Sequence, residues 1–480
     1  MVPSTSPRND GRCAATPLVS RRALLHSLGV AAAAAGLGIP GTPAYAEVRR
    51  QDDEEIVVDG RRVGLQTQER VVVVSVDGQP VDTLTPVEPA AAMATPEAGA
   101  EQAWLSDLLP FIEFESPEQA ARTALSLEGQ VWTLTELAAA TPEAPLPAAS
   151  PVDHAMAPSE AAIREAAIPE ASPTARLAVR KNVYDLSPDA VARFIDAVNW
   201  LKASGVYDGF VHRHHRAMAA AHWGPAFGPW HRWYLREFEL LLQQFDPGVM
   251  LPYWDWAADA ALPDWRTAPL WTPDYFGGDG DPADGDVVPD GPFTHWIVLI
   301  EFRFHPDIPG PLVPRPRPGL IRQFGRLVDP ETTVPYAPTL PDQAQVDEAM
   351  AEPIYDSSPW TTRVDSSFRN RLEGGLRPTE PAEIRMHNRV HVAIGGDMAF
   401  MTSPNDPVFF LHHCNIDRLW SRWQDAWLEA NPGMVPYQPQ EDGPPGHNLN
   451  DPMPELLTPG ITPANVLDHR ADILGYDYED

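Results

Sequence analysis

Residues Met386–Trp423 read MHNRVHVAIGGDMAFMTSPNDPVFFLHHCNIDRLWSRW, and the rest of the chain is organised around them. His387 and His391 stand four apart, so on a helix both rings leave the same face. One helix can thus offer two imidazoles to one metal ion. His412 and His413 follow about a helical segment later, and His413 can supply a third.

A mirror of this arrangement lies upstream in YDGFVHRHHRAMAAAHWGPAFGPWHRWYLREFE, Tyr207 to Glu239. His222 and His231 flank a Pro/Gly-rich turn, and Pro229 suits the first turn of the next helix. A third histidine comes from His212, His214 and His215. Two clusters of three histidines imply two metal ions with all-imidazole ligation, which suits copper, zinc, iron or nickel. Di-iron bundles use Glu-x-x-His pairs, and neither cluster has one. A zinc protease helix would read H-E-x-x-H, but Asn388 follows His387. A copper pair remains the best choice.

The two stretches resemble the paired copper-binding motifs of the tyrosinase family of type 3 copper proteins. HWGPAFGPWHR is similar to the first motif; HNRVH with SPNDPVFFLHHCNIDRLW is similar to the second. The likeness extends to LPYWDWA at Leu251–Ala257 and to the terminal LDHRADILGYDYED, covering roughly residues 177–480. It implies a mainly α fold, a central four-helix bundle holding a dicopper site among long loops; the hairpin and helix signals upstream, described below, add a small α+β domain before it. It implies metal ligation by His214, His222, His231, His387, His391 and His413, with His214 matched by its place seven after Tyr207. His412 resembles the histidine that supports the neighbouring ligand, and Asp417 and Arg418 the polar residues that brace its helix. Glu373, in RLEGG, and Asn388 match the pair thought to hold a water that deprotonates a monophenol, a general-base role. Fungal and plant relatives link a cysteine to the second histidine of the first site; here Ala219-Ala220-Ala221 stand there, so that bridge is not expected. Cys414 is expected to be a buried thiol that oxidation near copper could reach.

Composition narrows the classes. The 480 residues carry a net charge of −32, which argues against nucleic-acid binding. Hydrophobic content of 43% supports a large core, and 54 prolines point to long irregular connections. Of the two cysteines, Cys13 falls in the expected leader, so no disulfide framework is expected.

Along the chain, residues 1–46 read as an export signal: an arginine pair in Ser20–His26, an apolar run over Leu28–Ile39, and Ala44-Tyr45-Ala46 before Glu47. The pair suggests the twin-arginine route and a secreted protein, and the run is too short to anchor it stably in a membrane. Residues 47–135 form a separate unit. EIVVDGRRV and VVVVSVDGQPV place Asp-Gly between β-branched runs, a hairpin signal. Ser116 and Gln119 make a capping box for a helix that Gly129 stops. This unit resembles the caddie proteins of some bacterial tyrosinases, which implies a lid or chaperone role. Having no histidine there and only Met93, it is a poor copper courier. The caddie tyrosine falls at or near Phe111, with Phe114 beside it, so one of these rings is expected over the copper pair as a substrate mimic. Residues 136–176, rich in Ala, Pro and Glu, read as a linker that an activating protease would cut. From residue 177 runs the catalytic domain, whose first helix is capped by Ser187 and continues through Leu201.

The resemblance implies a secreted, self-shielded precursor of an enzyme that uses two copper ions and O2. It would hydroxylate monophenols at the ortho position and oxidise o-diphenols to o-quinones. The alternatives are a catechol or o-aminophenol oxidase without monophenol activity, and a haemocyanin-like O2 carrier.

Overall fold

The computed structural model describes residues 53–58, 60–68, 71–87, 103–134, 177–303, 315–364, 366–375 and 383–479. The export signal expected over 1–46 and the linker expected over 136–176 lie outside the described residues.

The first described region is a six-stranded antiparallel sheet, ordered β1 (Asp53–Val58), β2 (Arg61–Gln68), β3 (Val71–Val76), β4 (Gln79–Pro86), β5 (Trp104–Ser106) and β6 (Glu113–Phe114). Both Asp-Gly pairs lie between paired strands, as their turn chemistry predicts. Asp77 and Gly78 have φ of 50° and 83°, as a two-residue hairpin turn with the strands' own twist requires. Burial alternates along β3, and Val72, Val74 and Val76 form the inner face with Val63 and Leu65 of β2. Helix α1 (Pro117–Ser126) covers that face with Ala120, Ala121 and Ala124.

The capping box is only half made. Ser116 Oγ accepts from the Gln119 N–H at 3.1 Å, but Gln119 Oε1 accepts from Glu115 rather than from Ser116. The amide end of Gln119 instead reaches Asp329, 2.5 Å away and 210 residues further along the chain. A long-range partner thus competes with the local cap. The border expected at 135 is crossed in the same way: β7 (Trp132–Leu134) runs parallel to β9 (Ile297–Arg303), which pairs with β10 (Arg315–Pro318). The first region's last strand is therefore added to a hairpin of the second.

The remainder is mainly helical. Helix α2 (Pro188–Ala203) starts where expected, with Ser187 Oγ accepting from Ala190 N–H, and buries Val191, Phe194, Ile195, Val198 and Leu201. The site is built from α3 (Val206–Arg216), α4 (Phe227–Phe245), α5 (Phe368–Glu373), α6 (Met386–Ile394) and α7 (Val408–Ala430). Buried ionic contacts fix α4 against α7. Arg232 donates to Asp417 at 2.5 Å, and Arg180 on β8 (Ala178–Arg180) reaches both Glu239 and Asp417. The terminal strand β11 (Tyr476–Tyr478) pairs with β8, and both tyrosine hydroxyls donate to Asp417 at 2.5 Å. Burial alone would raise the Asp417 carboxyl, but Arg232 and Arg180 outweigh it and hold it below its usual value. Removing one member of such a network leaves a buried charge uncompensated, which costs several kcal/mol. No described helix is long and apolar enough to cross a membrane.

Candidate metal centre

Two groups of histidines converge in the core. His214, His222 and His231 form one, His387, His391, His412 and His413 the other, and within each group the ring nitrogens come within 4.8 Å of one another. All seven are buried. His214 comes from α3, His231 from α4, His387 and His391 from successive turns of α6, and His412 and His413 from α7. His222 sits on extended backbone at φ −130° just past the short helix Met218–Ala221, so it enters from a loop. His212 and His215, on other faces of α3, are only partly buried and join neither group.

Local hydrogen bonds set the tautomers. His214 Nδ1 lies 2.7 Å from the Met401 carbonyl, His231 Nδ1 2.8 Å from Phe227, and His391 Nδ1 2.7 Å from Met398. A carbonyl only accepts, so each Nδ1 carries the proton and each Nε2 presents a lone pair. His214 Nε2 and His231 Nε2 nevertheless stand 3.5 Å apart. Two lone pairs facing each other in a dry core repel unless a cation lies between them. His387 Nδ1 donates to Asn388 Oδ1 at 2.9 Å, which leaves its Nε2 buried and without a partner. Both nitrogens of His222 and of His412, and Nδ1 of His413, likewise have none among the described residues. Orphaned buried nitrogens are rare in folded proteins, and these imidazole nitrogens gather in two places. The donor sets fit two imidazole-bound cations.

Burial sets their charge state. It pushes the imidazoles of His214 and His387 down to about 3, and holds His222, His231, His391, His412 and His413 well below the usual value. All are neutral near pH 7, as metal ligation needs. Unfolded histidines titrate near 6.5, so below that pH the unfolded chain takes up protons that the folded one excludes. Stability is present above pH 6.5 and falls as the pH drops, by roughly 1 kcal/mol per histidine per pH unit. Denaturant midpoints of the metal-stripped protein should therefore fall steadily from pH 7 to pH 5. A flat profile would mean that these rings titrate freely in the fold.

Glu373 is the last residue of α5. Its Oε1 accepts from the Trp223 backbone N–H at 2.5 Å, and its Oε2 from Arg369 Nη1 at 3.0 Å. Its main-chain carbonyl lies 3.3 Å from His387 Nδ1. Burial raises the Glu373 carboxyl to about 7, with Arg369 opposing. The glycines of RLEGG allow this placement: a Cβ at Gly374, where φ is +119°, would meet the Arg385 carbonyl at 2.5 Å and Asn388 Cβ at 3.0 Å. Asn388 thus does two things: it orients His387, and it lines the same cavity of 460 Å³ as Glu373.

Phe111 reaches into the centre from the N-terminal region. Its ring stacks on His391 at 3.9 Å between centroids, and lies 5.5 Å from His387 and 6.1 Å from His222. One ring therefore faces histidines of both groups. Phe114, on β6, meets Tyr336 edge-on at 6.0 Å, away from the histidines. Arg418 lies over the Tyr253 ring at 4.3 Å and beside Asn415, whereas Asp417 faces Arg232 and Arg180. Consecutive residues on a helix point about 100° apart, so the two brace α7 through separate partners. Cys414 Sγ lies 3.7 Å from the Leu251 carbonyl, and burial pushes the thiol up to about 12. The thiol is buried, as expected, and a protonated, buried thiol is slow to oxidise.

Some residues that shape the centre carry no local motif. Arg369 holds Glu373 and Asp356 together. Trp223, in the left-handed region at φ 58°, turns its N–H toward Glu373; such strain concentrates at functional sites. His447 accepts from Ala226 N–H and lies 3.2 Å from the Ala219 carbonyl, clamping the loop that carries His222. A positive φ at Trp223 and a partner more than two hundred residues away for His447 leave no periodic trace. The glycine pair after Glu373 was the one readable signal.

Comparison with known proteins adds a family. Residues 204–426 match the model of the common central domain of tyrosinase. A tyrosinase of Streptomyces glaucescens is 39% identical over 307 residues, covering 62% of this chain and 97% of that protein. Grixazone synthase of Streptomyces griseus is 37% identical over 315 residues, 61% of this chain and 96% of that protein. A tyrosinase of Streptomyces antibioticus is 38% identical over 305 residues, 61% and 97%.

Proposed function

We propose, from the premise that this chain belongs to the tyrosinase family of dicopper oxidases, that it hydroxylates monophenols and oxidises o-diphenols, and that its N-terminal region holds it inactive until removed. The observation that carries the reading is the facing pair of histidine groups with Glu373 and Asn388 at their rim. Copper held by His214, His222 and His231 and by His387, His391 and His413 would supply the redox chemistry with O2. His412, in the second group, stacks on His387 at 5.2 Å and supports it.

The chain's own residues do the rest. Phe227 and Phe409 pack on the histidines, with ring centroids 4.9 Å from His387 and 4.0 Å from His413. An aromatic substrate taking the place of Phe111 would be held by such apolar faces while water is kept out. Glu373, fixed by Trp223 and Arg369, would hold a water in the cavity and take the phenol proton through it. Asn388 keeps His387 in one tautomer.

Oxygen uptake by the copper-loaded chain, opened by linker cleavage or by Phe111→Ala, separates the readings. Uptake with a monophenol and with the matching diphenol supports this one. Uptake with the diphenol alone makes the chain a catechol or o-aminophenol oxidase. Reversible O2 binding without consumption makes it a carrier. Within the proposed enzyme, Glu373→Gln should lower monophenol hydroxylation about 100-fold, the size of a general-base contribution, and diphenol oxidation far less. Equal losses on one preparation would make Glu373 structural. The comparisons leave secretion, the twin-arginine route and the activating protease as proposals resting on residues 1–46 and 136–176; sequencing the N-terminus of the exported protein checks the first.

A further inference from the structure

We infer that Arg363 recognises the substrate of the opened site, and that it selects phenols bearing a carboxylate on a short side chain. The inference rests on the phenol-oxidase reading above and names its substrate class.

Phe111 and Glu113 are two residues apart and line one cavity with Glu373 and Asn388. Phe111 sets its ring on His391. Glu113 Oε2 accepts from Arg363 Nη2 at 2.6 Å. The N-terminal region therefore presents the catalytic part with an aromatic ring and a carboxylate, each seated on its own receptor. A phenol with an acidic side chain presents the same two groups. The ion pair is largely shielded, with side chains 17% and 20% exposed, so solvent screens it only in part.

Glu113 leaves the guanidinium incompletely used. One of its oxygens takes one N–H, while Arg363 Nε is buried with no partner among the described residues. A guanidinium is a planar fork matched to both oxygens of a carboxylate. Glu113 is held by the backbone of β6, whereas a free carboxylate can turn to take both donors.

Arg363 is positioned from the catalytic side. Its carbonyl accepts from Thr361 Oγ1 at 3.1 Å, and the carbonyl of the next residue back, Thr362, accepts from Asn370 Nδ2 at 2.7 Å. Asn370 lies on α5, the helix that ends in Glu373. Withdrawing the N-terminal region would remove Glu113, which lines the cavity, and leave the guanidinium of Arg363 facing the space that Glu113 had filled, next to Thr362 of the cavity wall and tied to the element that carries the proposed base.

The test uses the full-length, copper-loaded chain carrying Phe111→Ala and Glu113→Ala, which frees both receptors without removing the N-terminal region. Calorimetry compares 3-phenylpropanoate with 3-phenylpropanamide, which differ in charge but little in shape. The acid should bind at least about tenfold more tightly, as a shielded charge-assisted pair gives. Adding Arg363→Gln should bring the ratio to about one, and Arg363→Lys, which keeps the charge without the fork, to an intermediate value. The ratio of KM values for 3-(4-hydroxyphenyl)propanoate and its amide should follow the same order. Equal binding of acid and amide with Arg363 present, or a preference that survives Arg363→Gln, would overturn the inference. Should Arg363→Gln fail to fold, Arg363→Lys decides: an undiminished preference for the acid there overturns it as well. Neither calorimetric ligand has a hydroxyl to oxidise, so the binding result is independent of turnover. A chain that prefers the acid yet consumes no oxygen with any phenol would contradict the oxidase reading and leave the role of Arg363 standing.

Discussion

The His231→Ala and His391→Ala proteins should each bind one copper ion fewer than the unaltered chain and lose phenol oxidation altogether. Each histidine has its Nδ1 pinned by a backbone carbonyl and its Nε2 turned to a partner imidazole, 3.5 Å away for His231 and 3.3 Å for His391. Alanine removes the donor and leaves a cavity in its place. Losing a residue that merely orients a ligand typically costs 10- to 100-fold in metal affinity; losing the ligand itself should cost more. Copper analysis and oxygen uptake on one preparation check both parts. A His391→Ala protein with two coppers and full activity would sink the assignment.

Phe111→Ala should turn on the uncut chain. The ring is 2% exposed and packs on His391, so it occupies the place of an aromatic substrate. Burying a phenyl ring contributes about 1.5–3 kcal/mol, or about tenfold to a hundredfold in the open population. A gain in diphenol oxidation of that size is expected. Phe114→Ala should gain far less, because Phe114 packs on Tyr336 and not on the histidines. Other contacts hold the N-terminal region in place: β7 pairs with β9, Gln119 reaches Asp329, and Trp223 Nε1 donates to the Pro110 carbonyl at 3.3 Å. Cutting the linker ends the tether's effective concentration of about millimolar but leaves these contacts. Activity should therefore rise with a lag after cleavage. No gain in a folded Phe111→Ala chain would mean that the ring does not block the site.

What could be read from the chain alone followed the range of the interactions. His387 and His391 declare a shared face because helical periodicity is local. The Asp-Gly pairs declare hairpins because the turn needs positive φ at those residues, and Ser187 declares a helix start because its cap spans three residues. The half-made box at Gln119 failed because Asp329, distant in sequence, offered its amide a better partner. The crossing of β7 to β9 was equally hidden: three residues carry too little alternation to reveal a partner strand. Arg369, Trp223 and His447 act through contacts that only the folded chain brings together. Phe111 was reachable because its loop precedes a recognisable capped helix, whereas Arg363 stands in an irregular segment with no pattern around it.

Each histidine group should hold one copper ion. Metal analysis of the purified, copper-loaded chain by native mass spectrometry tests it directly. Two copper ions per chain are expected, and one in either the His231→Ala or the His391→Ala protein. A single copper ion in the unaltered chain, or none after loading, would contradict it.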